Sequence, residues 1–261
     1  MTAIDHAVLL GSGGHIPTGR RETCCALVRL GDRALVIDAG TGLRRLVTDP
    51  ALLEGVRSID LVLTHFHLDH VIGLSYLPAI TPPVTVHGPG AALYGQPTRT
   101  VLGRLLGAPL FAAPLDALVA GVEELGPGEL ALGPFTGRVR AQRRHPHPVL
   151  GLRLGDELAY CTDTGHDPGT VAFAAGVRTL CHDAWSHAGC PSTGAHSTAG
   201  DAARLGREAG AREVILIHPD PTLPDDAPLL AEARAEHPGA RLGEDGLVLV
   251  PVSLGGKAVR R

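Results

Sequence analysis

The sequence comprises 261 residues, of which 44% are hydrophobic and 19% are charged, and its formal net charge is −4. This balance excludes an intrinsically disordered chain and argues against the basic surface by which proteins generally bind nucleic acids. No apolar run approaches the roughly 18 residues that a membrane span requires, and Met1–Leu10 lacks the basic start of a secretory signal, so we expect a cytoplasmic protein without membrane contact.

Strands are predicted wherever short apolar runs, rich in β-branched residues, lie between turn-forming residues. In chain order these runs are Ala7–Leu10, Cys25–Leu30, Ala34–Ile37, Ile59–Leu63, Val84–His87, Val139–Ala141, Gly151–Leu154, Glu157–Cys161, Arg178–Cys181, Glu213–Ile217 and Gly246–Val250. A helix is predicted over Thr198–Ala209, where Ser197 or Thr198 can cap the first turn and Gly210 ends the last. Further helical patterns cover Asp225–Glu236, Leu68–Leu77 and Leu115–Val122.

The predicted elements fall into two strand-rich halves, about 1–87 and 138–261, joined by the Gly/Pro-rich segment Gly88–Gly137. This order predicts an α/β fold in which one domain, 1–261, contains two sheets stacked face to face with helices outside. The joining segment is less regular and could form a cap over a site. Five cysteines without C-x-x-C spacing indicate reduced thiols.

Four potential metal ligands follow the predicted strand Ile59–Leu63 within six residues: His65, His67, Asp69 and His70. Neither a helix nor a straight strand places all four on one face, so the segment is predicted to be a loop that leads into a helix. Imidazole and carboxylate groups bind zinc without any thiolate, and the same donors suit manganese or iron. The sequence therefore predicts a metal site here.

At these residues the chain resembles the metallo-β-lactamase superfamily, whose signature is H-x-H-x-D-H after a buried strand. Asp38-Ala39-Gly40 resembles the D-x-G turn of that family, and Thr162-Asp163-Thr164 resembles the turn that supplies its bridging aspartate. His145 lies six residues before Gly151, as in ribonuclease Z-like members, and His218 ends a predicted strand. The resemblance covers nearly the whole chain.

The resemblance implies a four-layer αββα sandwich of two mixed sheets that holds two divalent metal ions, zinc in the first place, with manganese or iron as alternatives. One metal would be bound by His65, His67 and His145, and the other by Asp69, His70 and His218. Asp163 would bridge the two metals beside a shared hydroxide that Asp69 orients. His147 competes with His145 for its place, because only Pro146 separates them.

A second motif, Gly194-Ala195-His196-Ser197-Thr198, resembles the H-S-T turn of ribonuclease Z and of the cyclic phosphodiesterase of phosphonate breakdown. In those relatives the histidine faces the substrate phosphate, which implies a catalytic, substrate-binding His196. The N–H groups of the helix that follows would also be free to bind an anion. Alternatively, His196 caps the helix or lies on the surface. His182-Asp183 resembles the H-E pair that orients this histidine, with a shorter acid.

The leading hypothesis is a hydrolase of small or cyclic phosphodiesters. Only nine positions separate Gly151 from Tyr160, so the arm by which ribonuclease Z holds transfer RNA is missing, and transfer RNA is not expected as a partner. The alternatives are a lactone, thioester or other acyl hydrolase on the same metals, and a non-catalytic metal-binding module. Relatives of this family are often dimers, so a homodimer is compatible with the resemblance.

Two further features lie near the predicted site. Gly11–His15 departs from the G-x-G-x-x-G spacing of dinucleotide loops and is predicted to border the metals. The arginines in nearby turns either meet a substrate phosphate or form a solvated surface; they are Arg20, Arg21, Arg44 and Arg45.

Overall fold

A computed structural model describes residues 4–190 and 194–250 of the chain. Its strands are β1 (His6–Gly11), β2 (Cys25–Leu30), β3 (Arg33–Ile37), β4 (Ser58–Val62), β5 (Val84–Gly88), β6 (Gly121–Glu124), β7 (Gly128–Leu132), β8 (Phe135–Gln142), β9 (Val149–Leu154), β10 (Leu158–Cys161), β11 (Thr179–Asp183), β12 (Glu213–Ile217), β13 (Ala240–Leu242) and β14 (Val248–Val250). Its α-helices are α1 (Arg45–Thr48), α2 (Leu68–Val71), α3 (Gly90–Tyr94), α4 (Thr98–Leu105), α5 (Gly169–Phe173), α6 (Ala199–Ala209) and α7 (Ala227–Glu236). Short 3₁₀ helices cover Thr41–Arg44, Pro50–Leu53, Ile72–Ala79 and Leu115–Ala117.

The strands form two seven-stranded sheets, ordered β14-β1-β2-β3-β4-β5-β6 and β13-β12-β11-β10-β9-β8-β7. Both sheets are mixed. In the first, β3 to β6 run parallel and β14, β1, β2 and β3 pair antiparallel; in the second, β10 to β13 run parallel and β7 to β10 pair antiparallel. The stacked sheets with helices outside confirm the predicted α/β fold class.

Alternation of side chains along the strands separates the apolar cores. Leu9 and Ile37 belong to the core between the sheets, whereas their neighbours Leu10 and Val36 belong to the core beneath the helices of the first sheet. On the second sheet, α6 and α7 cover a core that includes Leu216. The interior strands β1, β2, β3 and β4 thus bury both faces over most of their length.

Some predicted elements differ from the structure. The helix predicted over Leu115–Val122 is wrong, because one 3₁₀ turn over Leu115–Ala117 leads into β6. The helix predicted over Leu68–Leu77 is one α-helical turn, α2, continued by the 3₁₀ helix Ile72–Ala79. The segment Gly88–Gly137 is more regular than expected, since it holds α3, α4 and an edge strand of each sheet. Within the described residues no helix is both long and apolar enough to cross a membrane.

Candidate metal centre

The candidate site lies where the carboxyl ends of parallel strands meet. Asp38 directly follows β3, the histidine cluster follows β4, Asp163 follows β10, and His218 directly follows β12. Loops that leave parallel strands in the same direction emerge at one edge of a sheet, which is where α/β folds bind ligands. The two stacked sheets therefore bring together residues that are as many as 180 positions apart in the chain.

Among the described residues, four groups of side chains place one possible ligand atom each within 4.8 Å of the others. The first group is His65, His67 and Asp163; the second is Asp69, His70 and His218; the third is His145, Asp163 and His196; the fourth is Asp183, His196 and His218. Asp163 belongs to two of them, so its carboxylate lies between the neighbouring groups. Every residue predicted from the sequence as a metal ligand is a member of at least one group.

The donor atoms fit metal ions. The Nε2 atom of His65 is buried and has no hydrogen-bond partner among the described residues, although a buried polar atom normally has one. Nε2 of His70 is also buried and lies 3.1 Å from Asp163 Oδ1 without a well-aligned hydrogen bond. The donors are imidazole nitrogens and carboxylate oxygens, which are ligands of zinc, manganese and iron. Divalent cations held here would supply the missing partners for these nitrogens.

Hydrogen bonds outside the ligand groups fix two of the rings. The buried Asp38 carboxylate accepts from His70 Nδ1 at 2.9 Å and from the hydroxyl of Thr64 at 3.0 Å. Because the Thr64 hydroxyl donates to Asp38, its oxygen is free to accept from His65 Nδ1 at 3.0 Å. Each ring is thereby held with its Nε2 free, which is how carboxylates commonly orient histidine ligands.

The glycine-rich loop after β1 borders the site, as the sequence predicts. The backbone N–H of His15 donates to Asp69 Oδ2 at 2.8 Å, and His218 Nε2 lies 3.2 Å from the same oxygen. Gly14 packs so closely on His218 that a Cβ there would lie 2.6 Å from Nδ1 of the ring. Only a glycine allows this approach.

Backbone strain is concentrated at the same place. In the described ranges, the non-glycine residues with positive φ are His15, Asp38, Asp163 and His218, with φ between 48° and 62°. This conformation costs of order 1–3 kcal/mol per residue and persists where the surrounding structure imposes it. All four residues either belong to the ligand groups or hydrogen-bond to them, so the strain coincides with the site.

At His65, His67 and Asp163, the shifted pKa values favour the protonation states that bind metal ions. Burial and repulsion by His70 hold the pKa of His65 well below its usual value, and burial and His145 lower the pKa of His67 to about 4. Burial would raise the pKa of Asp163, but attraction to His218 and His70 outweighs it and keeps that pKa well below normal. Neutral imidazoles and ionised carboxylates are the forms that bind metals.

Nearby carboxylates raise the pKa values of the other two buried histidines, His218 and His70. Burial would lower the pKa of His218, but attraction to Asp163 and the hydrogen bond with Asp69 raise it to about 9. The pKa of His70 is raised in the same way by Asp163 and Asp38, against the effect of burial. Without metal, protons on these rings balance the carboxylates, and a bound cation would displace them.

The structure separates the two histidines that compete for one ligand position. His145 Nδ1 contacts the backbone oxygen of His147 at 3.0 Å, and the His145 ring lies 4.9 Å from that of His67. His147 itself is exposed and contacts His67 Nε2 through its Nδ1 at 3.1 Å. His145 alone of the two belongs to a ligand group, and His147 touches the outside of His67.

His196 is a member of the third and fourth groups and is firmly oriented. Its Nδ1 contacts Asp183 Oδ2 at 2.7 Å, so the shorter acid does reach it. Asp183 also accepts from the backbone N–H groups of Thr164 and Ser197. His182 makes no such contact: its Nδ1 contacts the backbone oxygen of Asp183, and it shares the outer face of β11 with Leu180.

Two findings at His196 differ from the sequence analysis. The first N–H groups of α6 are not free for an anion, because they donate to Ser186 O, Glu232 Oε1 and Thr198 Oγ1. Trp185 was missed: its ring stacks on His196 with centroids 4.8 Å apart. Its position two residues after Asp183, as the single tryptophan, was the available signal.

The arginines near the site are mostly paired with acids. Arg21 is buried and donates to Asp226 at 2.6 Å, and Arg20 donates to the same carboxylate at 3.3 Å. Arg44 donates to Glu22. Arg20, Arg21 and Arg44 therefore bind acids of the chain itself, and buried Arg21 is not part of the solvated surface that the sequence analysis offered as the alternative to a phosphate contact.

Comparison with known proteins identifies a sequence family. A sequence model described as the β-lactamase superfamily domain matches residues 33–219. The Ribonuclease Z of Methanosarcina mazei is 25% identical over 301 aligned positions, which cover 91% of this chain and 95% of that protein. Since this chain has only 261 residues, at least 40 of the aligned positions have no counterpart in it.

Solved structures show the same architecture. The metallo-β-lactamase fold protein YhfI from Bacillus subtilis superimposes with a TM-score of 0.73 at 22% identity, covering 94% of this chain and 99% of that one. A diphosphatase from the PhnP family superimposes with a TM-score of 0.70 at 22% identity, covering 94% and 97%. These likenesses establish the fold.

Proposed function

The chain belongs to the metallo-β-lactamase superfamily of hydrolases, and we propose that it is a dinuclear metal phosphodiesterase acting on small or cyclic phosphodiesters. One observation carries the proposal: His196, whose Nδ1 is held by Asp183 at 2.7 Å, stands in one group of possible ligand atoms with His145 and Asp163. An imidazole in this position suits the developing charge of a phosphoryl group or its leaving alcohol.

We propose that His65, His67 and His145 bind one metal, that Asp69, His70 and His218 bind the other, and that Asp163 bridges them. The group of Asp69, His70 and His218 supports the second metal, and the group of His65, His67 and Asp163 supports part of the first, as does the unpartnered Nε2 atom of His65. His145 is grouped with Asp163 and His196, so its place on the first metal rests on the shared Asp163. Such a pair of cations, zinc in the first place, would activate water and polarise the substrate oxygen. Asp38 and Thr64 keep the rings turned toward the site.

The remaining steps belong to protein groups. The His15 N–H donates to Asp69 at 2.8 Å and so holds this carboxylate at the site. The carboxylate could then orient an attacking water. His196 donates a proton from Nε2 to the phosphoryl oxygen or to the departing alkoxide, while Asp183 stabilises the ring in its protonated form. Trp185 stacks on His196 and limits its rotation.

A small substrate is favoured over transfer RNA. The β9–β10 connection is a tight turn over residues 155–157, which leaves no room for an arm between these strands. The length difference from the archaeal relative is consistent with a missing segment. The acidic net charge of −4 also disfavours a long polyanion.

The test measures metal content and phosphodiesterase rate together, on the native protein and on His196→Ala. His166→Ala is the matched control, because this histidine is partly exposed and its nearest acid is Asp201. We expect two metals per chain in all three proteins and a loss of rate of about 10²–10⁴-fold in His196→Ala alone. The function would instead be acyl hydrolysis if the protein bound two metals, had no phosphodiesterase activity, and hydrolysed acyl esters or lactones as fast in His196→Ala as in the native form.

A further inference from the structure

A cavity adjoins the metal centre on the side of His67. It has a volume of about 230 Å³, and we call it the Phe66 pocket. Its lining is Phe66, His67, Tyr94, Gln96, Val101, Arg104 and His147. Three of these residues come from the loops that hold the proposed ligands, and four come from α3, α4 and the turn between them. His67 thus belongs both to the proposed metal ligands and to the wall of this cavity.

Two aromatic rings form one wall of the Phe66 pocket. The centroids of Phe66 and Tyr94 are 5.3 Å apart, and the ring planes are tilted by 48°. The Tyr94 hydroxyl donates to the backbone oxygen of Pro148 at 2.6 Å, so this ring is held in place without a ligand. Fixed, half-buried rings with an open face are suited to stacking with a planar group.

The cation of the pocket has no acidic partner. Arg104 donates to the side-chain oxygen of Gln96 at 2.8 Å, and no carboxylate of the described residues lies within 4.0 Å of it. Arg99, on the same helix, is instead paired with Asp116. Arg104 is thus exposed, and the remaining N–H groups of its guanidinium can donate only to solvent or to a ligand.

We propose that the Phe66 pocket binds a planar aromatic ring with hydrogen-bond acceptors, such as a nucleobase, that is carried by the alcohol part of the phosphate ester. Arg104 determines specificity for this ring. The inference rests on the proposed phosphodiesterase function. A volume of about 230 Å³ lies below the roughly 300–1,000 Å³ typical of small-molecule pockets, which suits a single ring system. Stacking on Tyr94 supplies affinity, and the Arg104 and Gln96 side chains select acceptor-bearing rings over plain alkyl groups.

The experiment compares two ligands that share a phosphate and differ in the base: adenosine 5′-monophosphate and ribose 5-phosphate. Binding to the metal-loaded protein is measured by calorimetry, so the readout does not depend on turnover. We expect the base to tighten binding by about 5- to 150-fold, since stacking of a base on an aromatic side chain is worth about 1–3 kcal/mol. Tyr94→Ala should remove this advantage, and Tyr94→Phe, which keeps the ring, should retain it.

Arg104→Ala should weaken binding of the nucleotide about tenfold and leave ribose 5-phosphate unchanged. Arg99→Ala is the matched control, because it removes the same charge from the same helix but leaves the pocket intact. Equal affinities of the two ligands for the native protein, or equal losses in Arg104→Ala and Arg99→Ala, would overturn the pocket assignment while leaving the phosphate site intact. If neither ligand binds, the proposed phosphodiesterase function itself is overturned.

Discussion

The contact between Gly14 and His218 offers a sharp test of the metal site. A Cβ added at Gly14 would lie 2.6–2.8 Å from three atoms of the His218 ring, closer than non-bonded carbon atoms can approach. The ring has little freedom to move away, because it is buried and stacks on His70 on one side and His196 on the other, at centroid distances of 5.4 Å and 5.2 Å. Gly14→Ala must therefore displace either the loop or the ring.

The size of the effect follows from the cost of overpacking, which is about 1–3 kcal/mol for an added methyl group in a tightly packed place. If the ring moves, His218 leaves its position in the group with Asp69 and His70, and this cost appears as weaker metal binding. At 1.4 kcal/mol for each factor of ten, the affinity of that metal falls by about 5- to 150-fold. The group of His65, His67 and Asp163 does not contain His218 and should keep its metal.

The assay is elemental analysis after dialysis against a graded series of chelator concentrations, with Gly19→Ala as the control. Gly19 lies in the same loop, and a Cβ there would meet nothing within 4 Å. We expect Gly14→Ala to lose one metal at a lower chelator concentration than the native protein, and Gly19→Ala to behave as native. Two metals retained at native affinity in Gly14→Ala, with an unchanged melting temperature, would refute the role of His218 as a ligand.

Four further outcomes are expected. Asp183→Asn should lower kcat about 10–100-fold with both metals retained, because the carboxylate orients His196 without belonging to the proposed metal ligands; parallel loss of metal would contradict this. A thiol reagent should label Cys190 in the native protein and leave buried Cys161 unmodified, and mass spectrometry after proteolysis distinguishes the two. Burial raises the pKa of Cys161 from 9.0 to about 11, so between these pH values its thiol stays protonated in the folded chain and ionises in the unfolded chain. The free energy of unfolding should therefore fall between pH 9 and 11 in a denaturant titration, and it should fall less in Cys161→Ala. Chelation of the metals should abolish hydrolysis and leave far-ultraviolet circular dichroism unchanged, since the main apolar cores lie between the sheets and under the helices, away from the site.

Local sequence was most informative where chemistry restricts the choice of residue. His65, His67, Asp69 and His70 are adjacent in the sequence, and their side chains have few purposes in common other than metal binding. The strands that position them are buried on both faces, so they appear in the sequence as apolar runs. Both the proposed ligands and the interior strands were therefore predictable.

The strands that were missed have a common physical reason. β6, β7 and β13 are edge strands, and each pairs with one neighbour only. Edge strands bury less surface and carry polar side chains, which removes the apolar signal: β6 is Gly-Val-Glu-Glu, with both glutamates exposed. The occupied N–H of Gly200 at the start of α6 was also unpredictable, since its acceptor Glu232 lies 32 residues further along the chain.

The division between predictable and unpredictable residues follows the division of roles in the site. Proposed metal ligands come from the ends of sheet strands, where strained backbone at Asp163 and His218 is imposed by the sheets on both sides. Tyr94 and Arg104, to which we assign substrate choice, come from the segment Gly88–Gly137 that joins the two strand-rich halves. The sequence of this segment resembles an irregular loop. A pocket of this kind can change its lining without disturbing the strands, because α4 is anchored separately, through buried Leu102 in the core under the first sheet. Substrate preference in this chain should therefore respond to substitutions in α3 and α4 that leave metal affinity and folding unaltered.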